Sequence, residues 1–288
     1  MKNVNTATII NQHSDINRAW FKRWFDSSFY HQLYANRDEK EASAFIDELV
    51  NELQPPANSR MLDLGCGSGR HSKHLASKGF DVTGIDLAAS SIRQAKRWEG
   101  DSLRFYRHDM RVPFGKSRFD YVFNFFTSFG YFDDSSEDHK VVNNIYSALK
   151  PRGILVMDYI NSIYSEKKLV PVEQKEIDGI IYDIARWTND THFFKKIRIE
   201  NMGDPVEHIE RVKKFSVADF KNLFDCNGLH LEKVYGDYFL NAYDAQTSPR
   251  LILIAKKIKL KRTLKQKMPS AEEKASHCSL QVYSACTT

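Results

Sequence analysis

The chain has 288 residues, 42% hydrophobic and 27% charged, enough for one sizeable core with small additions. No run approaches the roughly 18 apolar residues of a membrane helix, and the first twenty lack the basic start and apolar centre of a secretory signal. The formal charge of +5 belongs to the tail: from Lys256 onward eight Lys/Arg stand against two Asp/Glu, so the rest carries −1. A nucleic-acid substrate therefore has no electrostatic case in the body of the chain, and the cytoplasm is the expected location. Cys66, Cys226, Cys278 and Cys286 show no metal-ligand spacing, so no metal is expected.

Residues 1–55 are expected to form an N-terminal helical cap. Its first helix is the aromatic-rich stretch from Trp20 to Tyr34. Its second, Asp38 to Leu53, has Phe45, Ile46, Leu49 and Val50 at helical spacing before Pro55-Pro56. Strands and helices then alternate: a strand at Met61–Leu64, a helix at Ser68–Lys78 closed by Gly79, a strand at Phe80–Ile85 and a helix at Ala88–Trp98. Leu103–Arg107 and Phe119–Phe126 read as further strands. A helix capped near Asp133–Ser136 carries Val142 and Ile145, and after the turn Lys150–Gly153 comes a strand at Ile154–Tyr159. Such alternation argues for a parallel sheet covered on both faces.

Beyond Asn161 the texture changes. Ile180–Trp187, Phe193–Glu200 and Val206–Phe215 are strand-like, with turn chemistry at Asn189-Asp190 and at 201–204, which predicts a small antiparallel β insert over 162–215. Ser216 starts another helix, ended by Asn227-Gly228, and Leu229–Tyr235 and Leu251–Ala255 are the last strands. Residues 56–161 and 216–258 thus read as one domain. Residues 259–288 read as a basic, polar tail without periodicity, expected to be disordered.

The chemistry concentrates in Asp63-Leu-Gly-Cys-Gly-Ser-Gly69. Gly65, Gly67 and Gly69 let backbone approach a cofactor, and Cys66 is better read as a small residue filling a tight turn than as a nucleophile. A dinucleotide fingerprint would need a third glycine at position 70, which is Arg70. The Asp63 carboxylate would repel a pyrophosphate and attract the ammonium and sulfonium of S-adenosylmethionine (SAM). Asp86, at the end of the second strand, can accept from both ribose hydroxyls or cap the helix that follows. Asp109 can accept from an adenine amino group with Met110 packing on the base, or be an ordinary loop aspartate.

Residues 60–160 resemble the class I SAM-dependent methyltransferase family. The glycine motif, Val82-Thr-Gly-Ile-Asp86-Leu87, His108-Asp109-Met110 and Leu149-Lys-Pro-Arg-Gly153 stand in the family's order, with Arg152 where a glycine is typical. The resemblance implies a seven-stranded, mostly parallel sheet with helices on both faces and an antiparallel terminal hairpin. It implies SAM as cofactor, with Asp63, Gly65, Cys66, Gly67, Gly69, Asp86, Leu87, Asp109, Met110, Asn124 and Phe125 around it. It also puts the segment after the fourth strand beside the transferable methyl, so that Thr127, Phe129 and Tyr131 face an acceptor; Tyr30, Tyr34 and Arg37 either reach cofactor or acceptor from the N-terminal helices or belong to helices that merely cap the sheet. For Phe129 and its neighbours plain core packing is the competing reading.

Asn124-Phe-Phe-Thr127 lacks the Asp/Asn-Pro-Pro-Tyr/Phe motif of enzymes that methylate adenine or glutamine amines. A small-molecule acceptor with an oxygen or nitrogen nucleophile follows as the expectation. An RNA or protein methyltransferase and a non-catalytic SAM-binding scaffold are the alternatives, and Arg70 and Asp63 disfavour a dehydrogenase. His108, His192, His208, Glu210, Tyr131 and Asp158 are candidate bases, none singled out by spacing.

Overall fold

The computed structural model describes residues 20–35, 39–200 and 205–258. Its main sheet has seven strands: β1 Arg60–Leu64, β2 Asp81–Asp86, β3 Leu103–Arg107, β4 Phe119–Asn124, β5 Leu149–Ile160, β10 Leu229–Tyr235 and β11 Arg250–Lys257. Their order is β10-β11-β5-β4-β1-β2-β3, and β11 alone runs against its neighbours. The order reverses between β1 and β4, which opens a crevice beyond the carboxyl ends of those strands.

Helices cover both faces. One face receives α3 (Glu39–Leu53), whose Ala42, Phe45, Ile46 and Leu49 recur at helical spacing and are all buried. Beside it lie α4 (Arg70–Ser77) and α5 (Ala89–Ala95), the latter prolonged by one 3-10 turn, Lys96–Trp98. The other face receives α6 (Ser135–Ala148) and α8 (Val217–Asp225). Asp134 accepts from Ser136 N at 2.8 Å to start α6, and a reciprocal Ser216–Asp219 capping box starts α8.

The aromatic cap is two short helices, α1 (Trp20–Trp24) and α2 (Ser28–Leu33), where one was expected. Ser27 breaks the run, and its hydroxyl accepts from Tyr30 N to restart it. Trp20, Phe21 and Trp24 are buried in the same core as α6 and α8.

The insert forms a four-stranded antiparallel meander: β6 (Val172–Ile177), β7 (Ile180–Thr188), β8 (His192–Glu200) and β9 (Val206–Lys213). Strand β6, mostly exposed, and α7 (Ser162–Lys167) ahead of it were not anticipated, because neither carries a clear apolar period. Lys213 N donates to Gly130 O, and the Lys213 ammonium pairs with the buried Asp138 of α6, which fastens the meander to the main fold.

Two strand ends differ from expectation. Strand β4 stops at Asn124 because Phe126 and Thr127 take φ of 54° and 57°, the left-handed region. Strand β5 begins at Leu149, and Arg152 within the expected turn adopts φ 67°, the conformation that favours the glycine it replaces. Arg37, the turn at 201–204 and the tail lie outside the described residues.

Beneath the Gly-rich turn sits the Phe105 ring. A Cβ on Gly84 would lie 2.5 Å from it, and one on Gly69 2.6 Å, whereas a Cβ on Gly67 would meet nothing within 4 Å. Both turn glycines have positive φ, 84° at Gly69 and 55° at Gly67. Gly69→Ala therefore combines backbone strain with overpacking and is expected to cost on the order of 3 kcal/mol. Gly67→Ala should cost about 1 kcal/mol from backbone strain alone. Urea unfolding of the two variants checks the order; equal losses would contradict it.

Candidate functional site

The cap and the meander flank the crevice, and together they line a half-open cavity of about 1170 Å³. Its floor is the turn after β1. Gly65 N and Cys66 N donate to Ile85 O at 2.8 and 3.0 Å, and Gly67 N donates to Asp86 Oδ2 at 2.9 Å. The other Asp86 oxygen accepts from Ala88 N at 2.8 Å, ahead of α5. One carboxylate thus clamps the glycine turn and fixes the residue that precedes α5 without capping the helix itself; it also faces the cavity and, with about four lone-pair sites, retains acceptor capacity. Burial raises its pKa, and the Ala88, Gly67 and Leu87 amides oppose that rise.

Asp63 is placed differently from the sequence-based expectation. It is fully buried behind the turn, outside the cavity wall, where Ser72 Oγ donates to its Oδ2 at 2.6 Å and its Oδ1 is unpartnered in the structure. Burial pushes its pKa to about 7. Its charge is therefore held back at neutral pH, and of the two carboxylates only Asp86 lines the cavity.

Of the other expected cofactor residues, Gly65, Cys66, Gly67, Leu87, Asp109, Met110 and Phe125 line the cavity. Gly69 and Asn124 stand behind the wall. Gly69 packs on Phe105; Asn124, fully buried, donates to Leu64 O at 2.7 Å and Ser128 O at 3.2 Å, tying the β1 turn to the loop after β4. The Cys66 thiol is buried, and burial raises its pKa well above the ordinary value, the opposite of an activated nucleophile. The Asp109 carboxylate is gripped by Arg111, Nε to Oδ1 at 3.0 Å and Nη2 to Oδ2 at 2.7 Å. His71, which sequence reasoning missed, stacks on Phe125 with ring centroids 4.5 Å apart.

Of the residues expected to face an acceptor, Tyr30, Tyr34, Thr127 and Tyr131 line the cavity, while Phe129 is fully buried among Phe215 and Phe220. The core-packing reading holds for Phe129. The left-handed pair Phe126-Thr127 is held by a buried ion pair: Arg250 of β11 donates to Asp158 Oδ1 at 2.7 Å and to Thr127 Oγ1 at 3.1 Å, and Phe126 N donates to Asp158 Oδ2 at 2.8 Å. The Tyr131 hydroxyl donates to Thr127 O. Among the candidate bases His108, Glu210 and Tyr131 face the cavity; His192, His208 and Asp158 do not.

The meander supplies residues that sequence reasoning passed over, Arg186 and Lys195, beside Glu210. Glu210 Oε1 accepts from Trp24 Nε1 at 2.6 Å and from the Tyr34 hydroxyl at 2.8 Å, and Lys195 donates to that hydroxyl. Only the register of β7, β8 and β9 brings these residues into one row.

The placement of Asp63 has a thermodynamic consequence. Unfolded, its carboxyl ionises near 3.8; folded, near about 7, so between these values the folded chain holds a proton that the unfolded chain has lost. Its contribution to stability falls as pH rises through that window and is flat above it. Urea midpoints of the wild type should therefore decline relative to Asp63→Asn between about pH 5 and 7. Parallel curves would contradict the burial.

Comparison with known proteins agrees with this architecture. Residues 61–153 match the family model described as a methyltransferase domain. The Bacillus subtilis (strain 168) protein named "Putative methyltransferase YqeM" is 29% identical, covering 81% of this chain and 96% of its own. A Streptomyces venezuelae dTDP-3-amino-3,4,6-trideoxy-alpha-D-glucopyranose N,N-dimethyltransferase is 23% identical over 72% of this chain and 91% of its own. The crystal structure of a SAM-dependent methyltransferase from Clostridium acetobutylicum ATCC 824 superposes with a TM-score of 0.67 at 19% identity, covering 80% and 97% of the two chains. Strand order, glycine turn and matched domain coincide: residues 61–153 carry a methyltransferase domain, and the chain has the fold of SAM-dependent methyltransferases.

Proposed function

We propose that the protein transfers the methyl group of SAM to a small-molecule acceptor held under the meander. One observation carries the reading: the Gly-rich turn with Asp86 and the polar face of the meander line the same cavity. SAM, when bound, supplies an electrophilic methyl on a sulfonium. The residues fit it: Gly67 has φ 55° and a face open for at least 4 Å, and Asp86 offers charged acceptors at the end of β2. We assign ribose recognition to Asp86, the base pocket to Leu87 and Met110, and support of the turn from behind to Asp63, Gly69 and Asn124.

The chain's own contribution is positioning. Phe126-Thr127, pinned by Arg250 and Asp158, and Tyr131 line the cavity together with the Gly-rich turn and the meander. The meander walls one side of it, which restricts the acceptor's approach and favours an in-line displacement once donor and acceptor are aligned. In domain terms, 56–161 and 216–258 bind the cofactor, 1–55 caps it, 162–215 acts as the acceptor lid, and 259–288 is an appended tail. Similarity to a sugar N,N-dimethyltransferase supports a small acceptor with a nitrogen nucleophile.

Titration calorimetry with SAM should give saturable binding, weakened by at least about 1 kcal/mol in Asp86→Ala. Incubation with methyl-labelled SAM and cell extract should place label in the small-molecule fraction. Label confined to RNA or protein would overturn the choice of acceptor; a folded protein that ignores SAM would overturn the reading as a whole.

A further inference from the structure

The inward face of the meander is built of cross-strand rows. Two of them, Tyr182 with Ile199 and Ile184 with Ile197, are buried in the core beneath the cap. The next row is Arg186 on β7, Lys195 on β8 and Glu210 on β9, in direct register, and all three line the cavity. Two cations thus stand directly opposite each other, a pairing that destabilises a sheet unless a negative charge lies between them. Their side chains are only 23% and 16% exposed, which sharpens the repulsion.

Each of the two cations has a carboxylate partner at its side and keeps further donors beyond it. Glu173 bonds the Arg186 Nη2 group at 2.6 Å, while Nη1 donates to Val170 O at 3.2 Å. Glu210 stands 3.9 Å from the Lys195 ammonium, with its nearer hydrogen bonds committed to Trp24 and Tyr34. Of the other cations in the wall, Arg250 is neutralised by Asp158, Arg70 lies over the Phe126 ring, and Lys168 adds a positive charge. Lys195 has three donors, of which Tyr34 takes one, and Arg186 has five, of which two are named above.

We propose that the acceptor carries an anionic group, a carboxylate or a phosphate, seated on Lys195 and Arg186. Glu210 and Tyr34 orient the Lys195 ammonium, and Glu173 orients the Arg186 guanidinium. The word acceptor rests on the methyltransferase reading above; the anion site itself does not.

Full-length protein, with and without saturating S-adenosylhomocysteine, is titrated with inorganic pyrophosphate and with succinate at constant ionic strength. At least one anion should bind saturably. Lys195→Met and Arg186→Gln should each weaken it by about tenfold or more, while Lys195→Arg retains it within about threefold. Lys73→Gln, altering a lysine over the Trp98 ring, serves as the control and should change nothing. Pyrophosphate alone would assign a phosphate, and succinate alone a carboxylate. Binding of neither anion, or binding untouched by both charge-removing variants, overturns the proposal. Should Lys195→Met fail to fold, Arg186→Gln decides the matter. Failure of S-adenosylhomocysteine to bind would count against the methyltransferase reading, while the anion titration of the unloaded protein still reports on the site.

Discussion

The Phe105 ring occupies the space that Gly69 and Gly84 leave beneath the turn after β1, and the floor of the cavity depends on that fit. A side chain at either glycine would lift the turn away from β2. With the turn low, Gly65 N and Cys66 N reach Ile85 O, and Gly67 N reaches Asp86. Asp86 then serves the turn, the start of α5 and the cavity from one place. Close packing below thus creates a polar edge above, with glycine chosen for its missing atoms as much as for its left-handed conformations.

A different economy governs the meander. One face of the same three strands is core at one end and cavity wall at the other: Tyr182, Ile184, Ile197 and Ile199 bury beneath the cap, and Arg186, Lys195 and Glu210 continue the same alternation over the cavity. The apolar rows hold the sheet in place, so the charged row need not contribute to stability. Contacts from β9 fix the other edge, through Lys213 with Asp138, Arg211 with Asp133, and Glu210 with Trp24 and Tyr34. An ion pair such as Lys213–Asp138, with the carboxylate nearly buried, sets position more than it adds stability.

The parallel sheet was legible because its strands carry continuous apolar runs and its turns carry glycine. Leu103–Arg107 came out to the residue, and the antiparallel insert was visible as a change of period. What eluded the sequence was whatever depends on tertiary neighbours. Phe126 and Thr127 look like strand, yet Asp158 and Arg250 hold them in left-handed backbone. Asp63 looks like a ligand carboxylate, and only its burial shows that it faces Ser72. Arg186 and Lys195 are nine positions apart and unremarkable in one dimension; strand register makes them opposite. Register cannot be read from composition when loop and bulge positions are unknown.

A crystal structure of the full chain with S-adenosylhomocysteine tests most directly whether cofactor and acceptor share this cavity. The ribose should lie on Asp86, with the sulfur directed past Thr127 and Tyr131 toward the row formed by Arg186, Lys195 and Glu210. A nucleoside bound elsewhere, or a sulfur directed away from the meander into solvent, would contradict it.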